Sequence, residues 1–316
     1  MGQTDPDVPD ALARAGGLKR WLKPLMNVLA VLFVGLAVRD VVGRWQGLTV
    51  KLSPLPLAVA CVPLVFSCLA QGVAWTLLIE RMAHQRVRRG PALAVYLASQ
   101  LARYTPGKIG LPIVRMQGAE RIGAARSLVG VSVLVEMLSW TATGAVVGFA
   151  LLAMAAPSAG LGGLLGKLAM PAFAASALGV LLLLLVDRST YPAKVRALVA
   201  PEGAGPVVPL SLPLIQVGYW VLVAAHGYLM SRALGATESA AVTAMGFYVV
   251  SQVAGFVVLA APAGLGVREA VIVAGLSPSV GTGAAVAAAI ISRAASLAAE
   301  VLVWAGVRAA TGRSAA

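Results

Sequence analysis

Six apolar runs limit what this chain can fold into more than any other feature. They cover residues 25–38, 55–79, 127–155, 164–186, 209–231 and 281–307. A helix of about 20 residues crosses the roughly 30 Å hydrocarbon core of a bilayer, and all but the first run reach that length. Because 59% of the residues are hydrophobic and only 12% are charged, too little polar surface remains to cover a soluble globule. The sequence therefore predicts an all-α polytopic membrane protein with about six full transmembrane helices.

The basic residues indicate how these helices are oriented. The net charge of +13 lies in short loops between apolar runs, where the preference of cations for the cytoplasmic side accounts for it without a nucleic-acid partner. Clusters of Arg and Lys precede the first run and follow the second, which predicts that both positions are cytoplasmic. We expect a multi-pass protein of the cytoplasmic (inner) membrane with both termini in the cytoplasm. Arg39, Arg44 and Lys51 then lie outside, as an exception.

The stretch SQLARYTPGKIGLPIVR, residues 99–115, breaks this pattern with three cations, two prolines and two glycines. The limb before its turn, residues 91–104, would be about 21 Å long as a helix, which is short for a crossing. Both flanks are basic and prefer the cytoplasm. We predict a re-entrant hairpin that enters from the cytoplasm, turns at TPGKIG and returns, because prolines and glycines break the helix there.

A second copy of this motif is SQVAGFVVLAAPAGLGVRE, residues 251–269. Both copies begin with Ser-Gln and continue to Pro-x-x-[Ile/Leu]-Gly, and a long apolar helix with Arg and then Glu follows each. If residues 240–276 form a hairpin open to the outside, the basic C-terminus returns to the cytoplasm. The two halves, about 55–155 and 209–308, would then be inverted repeats whose hairpin turns approach one another. If residues 240–260 cross instead, the basic C-terminus lies outside. The alternative to six transmembrane helices with two re-entrant hairpins is a chain with eight membrane helices.

Both repeats are assigned to a single integral membrane domain, residues 21–310. Residues 1–20 are interpreted as a disordered cytoplasmic lead, and residues 311–316 as a cytoplasmic tail. Nothing like a cleavage site follows the first apolar run, so we expect it to remain as a helix.

Charged side chains inside the membrane segments are candidates for a functional site, because each costs roughly 2.5–3.5 kcal/mol near a helix centre on insertion scales. These candidates are Arg103, Lys108, Glu136, Arg268, Glu269, Arg293 and Glu300. A structural alternative is that Arg126 pairs with Glu136, or Arg293 with Glu300, and holds the bundle together. Lys108 lies at a glycine-rich turn, where packing gives no reason for a lysine.

The strings QLARYTPGKIG and PAGLGVREA, each with a downstream Arg and Glu, resemble the flippase-like integral membrane domain of the lysylphosphatidylglycerol synthase family. The resemblance covers about residues 20–310 by helix order. It implies movement of an anionic or aminoacylated lipid head group between leaflets. Ala263 departs from the family, which tends to have a second glycine at this position. No soluble aminoacyltransferase domain is seen, so the resemblance does not imply lipid synthesis.

We interpret the chain as a lipid flippase or a transporter of a lipid-linked precursor, rather than an enzyme, with a site between the two hairpins. In this hypothesis Lys108, Arg103 and Arg293 bind phosphate oxygens. Glu136 and Glu300 hold these cations in place when no lipid is present. The candidate substrate-binding residues are Arg103, Tyr104, Pro106, Gly107, Lys108, Arg115, Glu136, Pro262, Gly264, Gly266, Arg268, Glu269, Arg293 and Glu300.

Two other classes remain as alternatives: a membrane enzyme acting on lipid phosphates, and a non-catalytic assembly partner of a lipid or glycan synthesis enzyme. An enzyme needs a general base or metal ligands, whereas this chain has only 12 acidic residues and two histidines, with no metal-ligand cluster. No nucleotide-binding motif is present, and we expect no cofactor. The expected partners are a membrane phospholipid or polyprenyl-linked lipid, a lipid or glycan biosynthesis enzyme, and a second copy of the chain, but no nucleic acid.

Overall fold

The computed structural model describes residues 54–105, 109–155, 164–185, 208–258 and 261–313. These residues form α-helices and short connections, and none of them lies in a β-strand. The α-helices are α1 Pro54–Ala83, α2 Arg89–Leu101, α3 Gly110–Gln117, α4 Ala119–Ile122, α5 Arg126–Ala155, α6 Leu164–Leu185, α7 Ser211–Ala233, α8 Glu238–Val257, α9 Val267–Val280 and α10 Thr282–Arg313.

Five helices in the described part of the chain, α1, α5, α7, α8 and α10, are long and apolar enough to cross a membrane. The prediction of an all-α polytopic membrane protein is therefore confirmed. Helix α6 coincides with the predicted run 164–186. The run 25–38 and the lead 1–20 lie outside the described residues. At the other end, α10 continues through Arg313, into the segment that we expected to be a tail.

Close helix contacts in the bundle depend on small residues. A Cβ atom added at Gly144 would lie 2.3 Å from an atom of Trp220, and one added at Gly148 would lie 2.8 Å from Val250. Neither position has room for a side chain, so α5 packs tightly against α7 and α8. The same bundle places α1 along α7, and it places α10 against α1, α2 and α9. This packing brings helices from both ends of the sequence around one interior space.

The two repeated motifs share a local structure. In the first, α2 ends in a 3-10 turn, Ala102–Tyr104, and α3 packs back against α2. In the second, α8 is followed by a 3-10 turn, Pro262–Gly264, and α9 packs back against α8. The serine of each Ser-Gln pair donates a hydrogen bond to the carbonyl of the tyrosine three residues earlier. The two 3-10 turns contact each other, as the prediction of approaching turns requires.

Helix α8 is also long enough to cross, which agrees with the alternative of eight membrane helices. A re-entrant hairpin and a pair of crossing helices can pack in the same way. The position of the bilayer around α8 and α9 distinguishes these two arrangements.

Ala263, where the chain departs from the resembled family, has an unusual backbone conformation. Its φ of 48° and ψ of 26° lie in the left-handed region, which favours glycine because a Cβ atom is crowded there. Gly264 follows with φ 72°, and a Cβ atom at this position would lie only 2.7 Å from the Cα atom of Gly255. The turn therefore keeps its left-handed geometry although one position carries alanine, and it packs directly on α8.

Candidate functional site

A cavity lies where α1, α2, α3, α5, α7, α8, α9 and α10 meet the two 3-10 turns. It contains about 1110 Å³ of space not filled by atoms, including space open to the exterior. Six charged residues line it, although the surrounding helices are mostly apolar: Arg103, Arg115, Glu136, Arg268, Arg293 and Glu300. Each was a candidate from the sequence. We therefore treat this cavity as the candidate functional site.

Arg115 and Glu136 form a buried ion pair at one wall of the cavity. The Arg115 side chain is 1% exposed, and its Nε atom also donates a hydrogen bond to Ser99 Oγ at 2.9 Å. The second carboxylate oxygen of Glu136 accepts a hydrogen bond from Gln71 Nε2 at 2.8 Å. Both carboxylate oxygens of Glu136 are thus occupied, as a structural ion pair requires.

Aromatic rings complete the surroundings of Arg115, whose guanidinium carbon lies 4.8 Å from the ring centre of Trp75 and 4.5 Å from that of Tyr96. The alternative pairing of Glu136 with Arg126 was wrong. Arg126 lies at the surface, where it pairs with Glu120.

Arg103 and Glu300 form the second ion pair, which connects the turn after α2 to α10. The Arg103 side chain is 27% exposed and also donates a 3.4 Å hydrogen bond to Gln100 Oε1. Glu300 is 7% exposed, and its Oε2 atom has no hydrogen-bond partner. The ion pair is therefore open to the cavity on the arginine side and incompletely satisfied on the carboxylate side.

Arg293 pairs with Glu269 rather than with Glu300, so that alternative pairing was also wrong. The Arg293 Nε atom donates to Glu269 Oε1 at 2.5 Å. Glu269 Oε2 accepts from the backbone nitrogen of Gly266 at 2.8 Å, so the carboxylate reaches back to the N-cap residue of α9. Glu269 thus orients Arg293 and begins a helix, but it is not among the residues lining the cavity.

Arg268 differs from the other three cavity arginines because no carboxylate among the described residues pairs with it. It is 5% exposed, and its Nη2 atom donates a 3.2 Å hydrogen bond to Ser296 Oγ. Its Nε atom has no partner. A buried guanidinium that lacks a direct ion pair and leaves one donor unused is costly, so this position is a candidate for a role beyond packing.

All four buried side-chain atoms without a hydrogen-bond partner, within the described ranges, belong to residues that line this cavity. Two are donors, Arg268 Nε and Arg293 Nη2, and two are acceptors, Gln71 Oε1 and Glu300 Oε2. Unsatisfied buried polar atoms are rare in native proteins and need an explanation for each. Their concentration around one cavity indicates a binding site for a polar group.

The cavity brings together seven of the fourteen candidates, namely Arg103, Tyr104, Arg115, Glu136, Arg268, Arg293 and Glu300. Gly264 and Gly266 shape the turn beside it, and Pro262 begins that turn. Pro106, Gly107 and Lys108 lie outside the described residues, between Thr105 and Ile109.

Sequence reasoning missed several uncharged residues of the site: Ser67, Gln71, Trp140, Tyr219, Phe256 and Ser296. Two further uncharged residues, Gln100 and Gln252, also line the cavity. Each belongs to a repeated Ser-Gln pair, and this repetition is the sequence signal that could have identified them.

No cluster of three or more His, Cys, Asp or Glu side chains suitable for a metal ion occurs among the residues that the structure describes. His226 is buried between helices, where its Nδ1 atom lies 2.6 Å from the Ala60 carbonyl oxygen and its Nε2 atom 3.0 Å from Ser292 Oγ. His226 is therefore an interhelical hydrogen-bonding residue. His84 lies in the turn after α1.

The fold and the cavity define a multi-pass helical membrane protein with a charged interior site. The chain belongs to the family described as the lysylphosphatidylglycerol synthase TM region, which it matches over residues 20–303. The match includes both repeated motifs and every described residue of the cavity. Membership associates the chain with lipid modification or transport in the membrane. No curated protein matches the chain significantly.

Proposed function

We propose that the protein moves a lipid with an anionic head group between the two leaflets of the membrane, and that the phosphate binds in the arginine-lined cavity. The observation that carries this proposal is Arg268, a cavity-lining cation without an ion pair in the described part of the chain, whose buried Nε atom lacks a hydrogen-bond partner, as does the Nη2 atom of Arg293 in the same cavity wall.

A phosphate suits these two donors for electrostatic and geometric reasons. Hydrogen bonds between a guanidinium and a phosphate oxygen are charge-assisted and stronger than neutral ones, and arginine presents its donors in a fixed planar arrangement. One phosphate supplies acceptors for both free donors and a counter-charge for Arg268. Burial of the Arg268 charge without an ion pair is unfavourable when the site is empty. A bound phosphate offsets this energy, so Arg268 favours the lipid-bound state.

The rest of the cavity wall suits the parts of a lipid near its phosphate. The aromatic rings of Trp140, Tyr219 and Phe256 line the cavity and pack against one another. All three rings offer apolar surface, and the Trp140 and Tyr219 rings also carry a polar group, as the glycerol region of a phospholipid requires. A membrane phospholipid and a polyprenyl-linked lipid both provide this combination, and we propose this class of substrate.

The proposed cycle uses the two motifs as re-entrant hairpins of an inverted repeat, in a protein of the inner membrane with both termini in the cytoplasm. Support comes from the shared helix–turn–helix structure and from the contact between the two 3-10 turns. A site at the boundary between two such repeats opens alternately to each side when one repeat moves against the other. Lys108, which lies outside the described residues, remains a predicted phosphate ligand in this scheme.

The test is leaflet exchange in proteoliposomes with a fluorescent phosphatidylglycerol, measured by quenching of the outer leaflet. Arg268→Ala should slow exchange by about 10- to 150-fold, because a hydrogen bond to a charged group contributes about 1.5–3 kcal/mol. Arg268→Lys should restore part of the rate, since it returns the charge without the planar group. Arg126→Ala, which removes an exposed cation far from the cavity wall, is the matched control and should exchange lipid like the wild type.

Stability separates this function from a structural role. Removal of an unpaired buried cation should leave the unfolding temperature of Arg268→Ala unchanged or raise it, whereas loss of a structural residue lowers it. Wild-type exchange rates in a well-folded Arg268→Ala protein would contradict the proposal.

A further inference from the structure

We propose that Glu300 carries a proton with the lipid: the lipid phosphate replaces Glu300 on Arg103, the released carboxylate takes one proton from water, and lipid and proton cross the membrane together. This inference rests on the proposed function and adds to it the ion that couples transport to a gradient.

The three carboxylates around the cavity differ in how their oxygens are used. Glu136 has both oxygens occupied, by Arg115 and Gln71. Glu269 also has both occupied, by Arg293 and the Gly266 backbone nitrogen. Glu300 uses only Oε1, in the pair with Arg103, and its buried Oε2 atom is free. Glu300 is therefore the one of these three that depends on a single partner and can hold a proton without losing another hydrogen bond.

The partner of Glu300 is the arginine that an entering lipid reaches most easily. The Arg103 side chain is 27% exposed, compared with 1% for Arg115 and 6% for Arg293. Of the ion pairs between described residues, the pair of Arg103 with Glu300 alone joins the segment 55–155 to the segment 209–308. Movement of one half against the other therefore acts on this pair, and a phosphate on Arg103 competes with it directly.

A released Glu300 cannot remain charged at low cost. It is 7% exposed, and removal of one partner from a buried ion pair costs about 3–5 kcal/mol when the other charge stays buried. Buried carboxylates avoid this cost by taking a proton. The charges also balance, because the phosphodiester brings one negative charge, the proton brings one positive charge, and the net charge of the cavity is unchanged.

The other ionisable groups of the cavity wall differ from Glu300 in type or in partners. They are Cys68 from α1, Tyr96 from α2, Arg103 and Tyr104 from the turn after α2, Arg115 from α3, Glu136 from α5, Tyr219 from α7, Arg268 from α9 and, on α10 itself, Arg293. Glu136 already has both carboxylate oxygens in hydrogen bonds. Thiol, phenol and guanidinium groups ordinarily have pKa values of about 8.5, 10 and above 12. A proton taken up at neutral pH when lipid binds is therefore assigned to Glu300.

The experiment measures proton uptake when short-chain phosphatidylglycerol binds to the purified protein in weakly buffered detergent solution with a pH dye. The phosphodiester lacks the second phosphate ionisation near about pH 6, so the lipid contributes no proton exchange of its own. Wild type should take up about one proton per lipid bound. By linkage, its affinity should fall by up to about tenfold per pH unit as the pH rises.

Variants at two glutamates locate the proton. Glu300→Gln should bind lipid without proton uptake and with an affinity that no longer depends on pH. Glu120→Gln, at the surface and outside the cavity, should keep both the proton uptake and the pH slope.

Binding by the wild type without proton uptake would overturn the coupling and leave the proposed function intact, as would an unchanged pH slope in Glu300→Gln or its loss in Glu120→Gln. Absence of any phospholipid binding would overturn the proposed function as well. The wild-type measurement decides the matter alone if Glu300→Gln does not fold.

Discussion

Two buried arginines in the wall of one cavity have opposite surroundings. Arg115 has a carboxylate, a serine hydroxyl and two aromatic rings around it. Arg268 has one serine hydroxyl and a free Nε atom. The first arrangement satisfies a buried charge and stabilises the fold, while the second leaves the charge available to a ligand. The same residue type therefore has a structural role at one position and a proposed binding role at the other.

Loss of the Glu136 carboxylate should test the structural role. Glu136→Gln leaves the Arg115 guanidinium buried without a counter-charge, so we expect a loss of about 3–5 kcal/mol in unfolding free energy and poor expression. Adding Arg115→Met should recover much of this loss, because it removes the stranded cation. Thermal unfolding in detergent gives the comparison.

The control for this pair is a second double variant. Glu136→Gln combined with Arg126→Ala should stay as unstable as the single variant, since Arg126 pairs with Glu120 instead. Equal rescue by the two arginine substitutions would contradict the assignment of Arg115 as the partner.

At the scale of elements, the helix–turn–helix motifs account for the shape of the site. Each motif breaks a helix at a turn containing glycine, and the two turns meet beside the cavity. A backbone that is not helical tolerates the membrane interior only against protein or in a wet cavity. In the proposed re-entrant arrangement, the contact between the turns and the polar cavity supply both conditions.

Cysteine labelling tests whether the motifs are re-entrant. With Cys61 and Cys68 replaced, single cysteines at Gln85 and Glu120 should label from the cytoplasm, and those at Glu238 and Ser279 from outside. These positions are exposed. Because Cys68 lines the cavity, the cysteine-free protein must first be shown to exchange lipid.

Gly118 would be an unsuitable labelling position for the first motif, because a Cβ atom there would lie 2.5 Å from Val95. Labelling at position 120 from outside alone would end the re-entrant interpretation of the first motif. Labelling at 279 from the cytoplasm would instead show that α8 crosses the membrane.

Most helices, and half of the candidate residues, could be predicted from the sequence because hydrophobic length and isolated charges are local properties. The run 127–155 corresponds to α5, and the run 209–231 differs from α7 by two residues at each end. Ion-pair partners are not local: Arg103 and Glu300 are 197 residues apart, and only the packed bundle decides which charges meet. Gln71 was missed because nothing around it in an apolar run separates a cavity residue from a packing residue.

For the whole molecule, the cavity combines residues from both halves of the chain. Glu136 and Arg115 come from the first half, while Arg268 and Arg293 come from the second. The ion pair of Arg103 with Glu300 joins the halves. A ligand that binds the free donors of Arg268 and Arg293 contacts the second half of the chain. In the proposed mechanism the same ligand competes with Glu300 for Arg103, and this competition couples binding to movement of the two halves.

The central claim is that this cavity binds the head group of an anionic lipid. The most direct measurement is an electron cryomicroscopy structure of the wild-type protein in nanodiscs that contain phosphatidylglycerol. We predict density for a phosphate at hydrogen-bond distance, about 2.7–3.2 Å, from Arg268 Nε and Arg293 Nη2. A cavity that contains only water or an acyl chain, with every lipid phosphate at the membrane surface, would contradict this account.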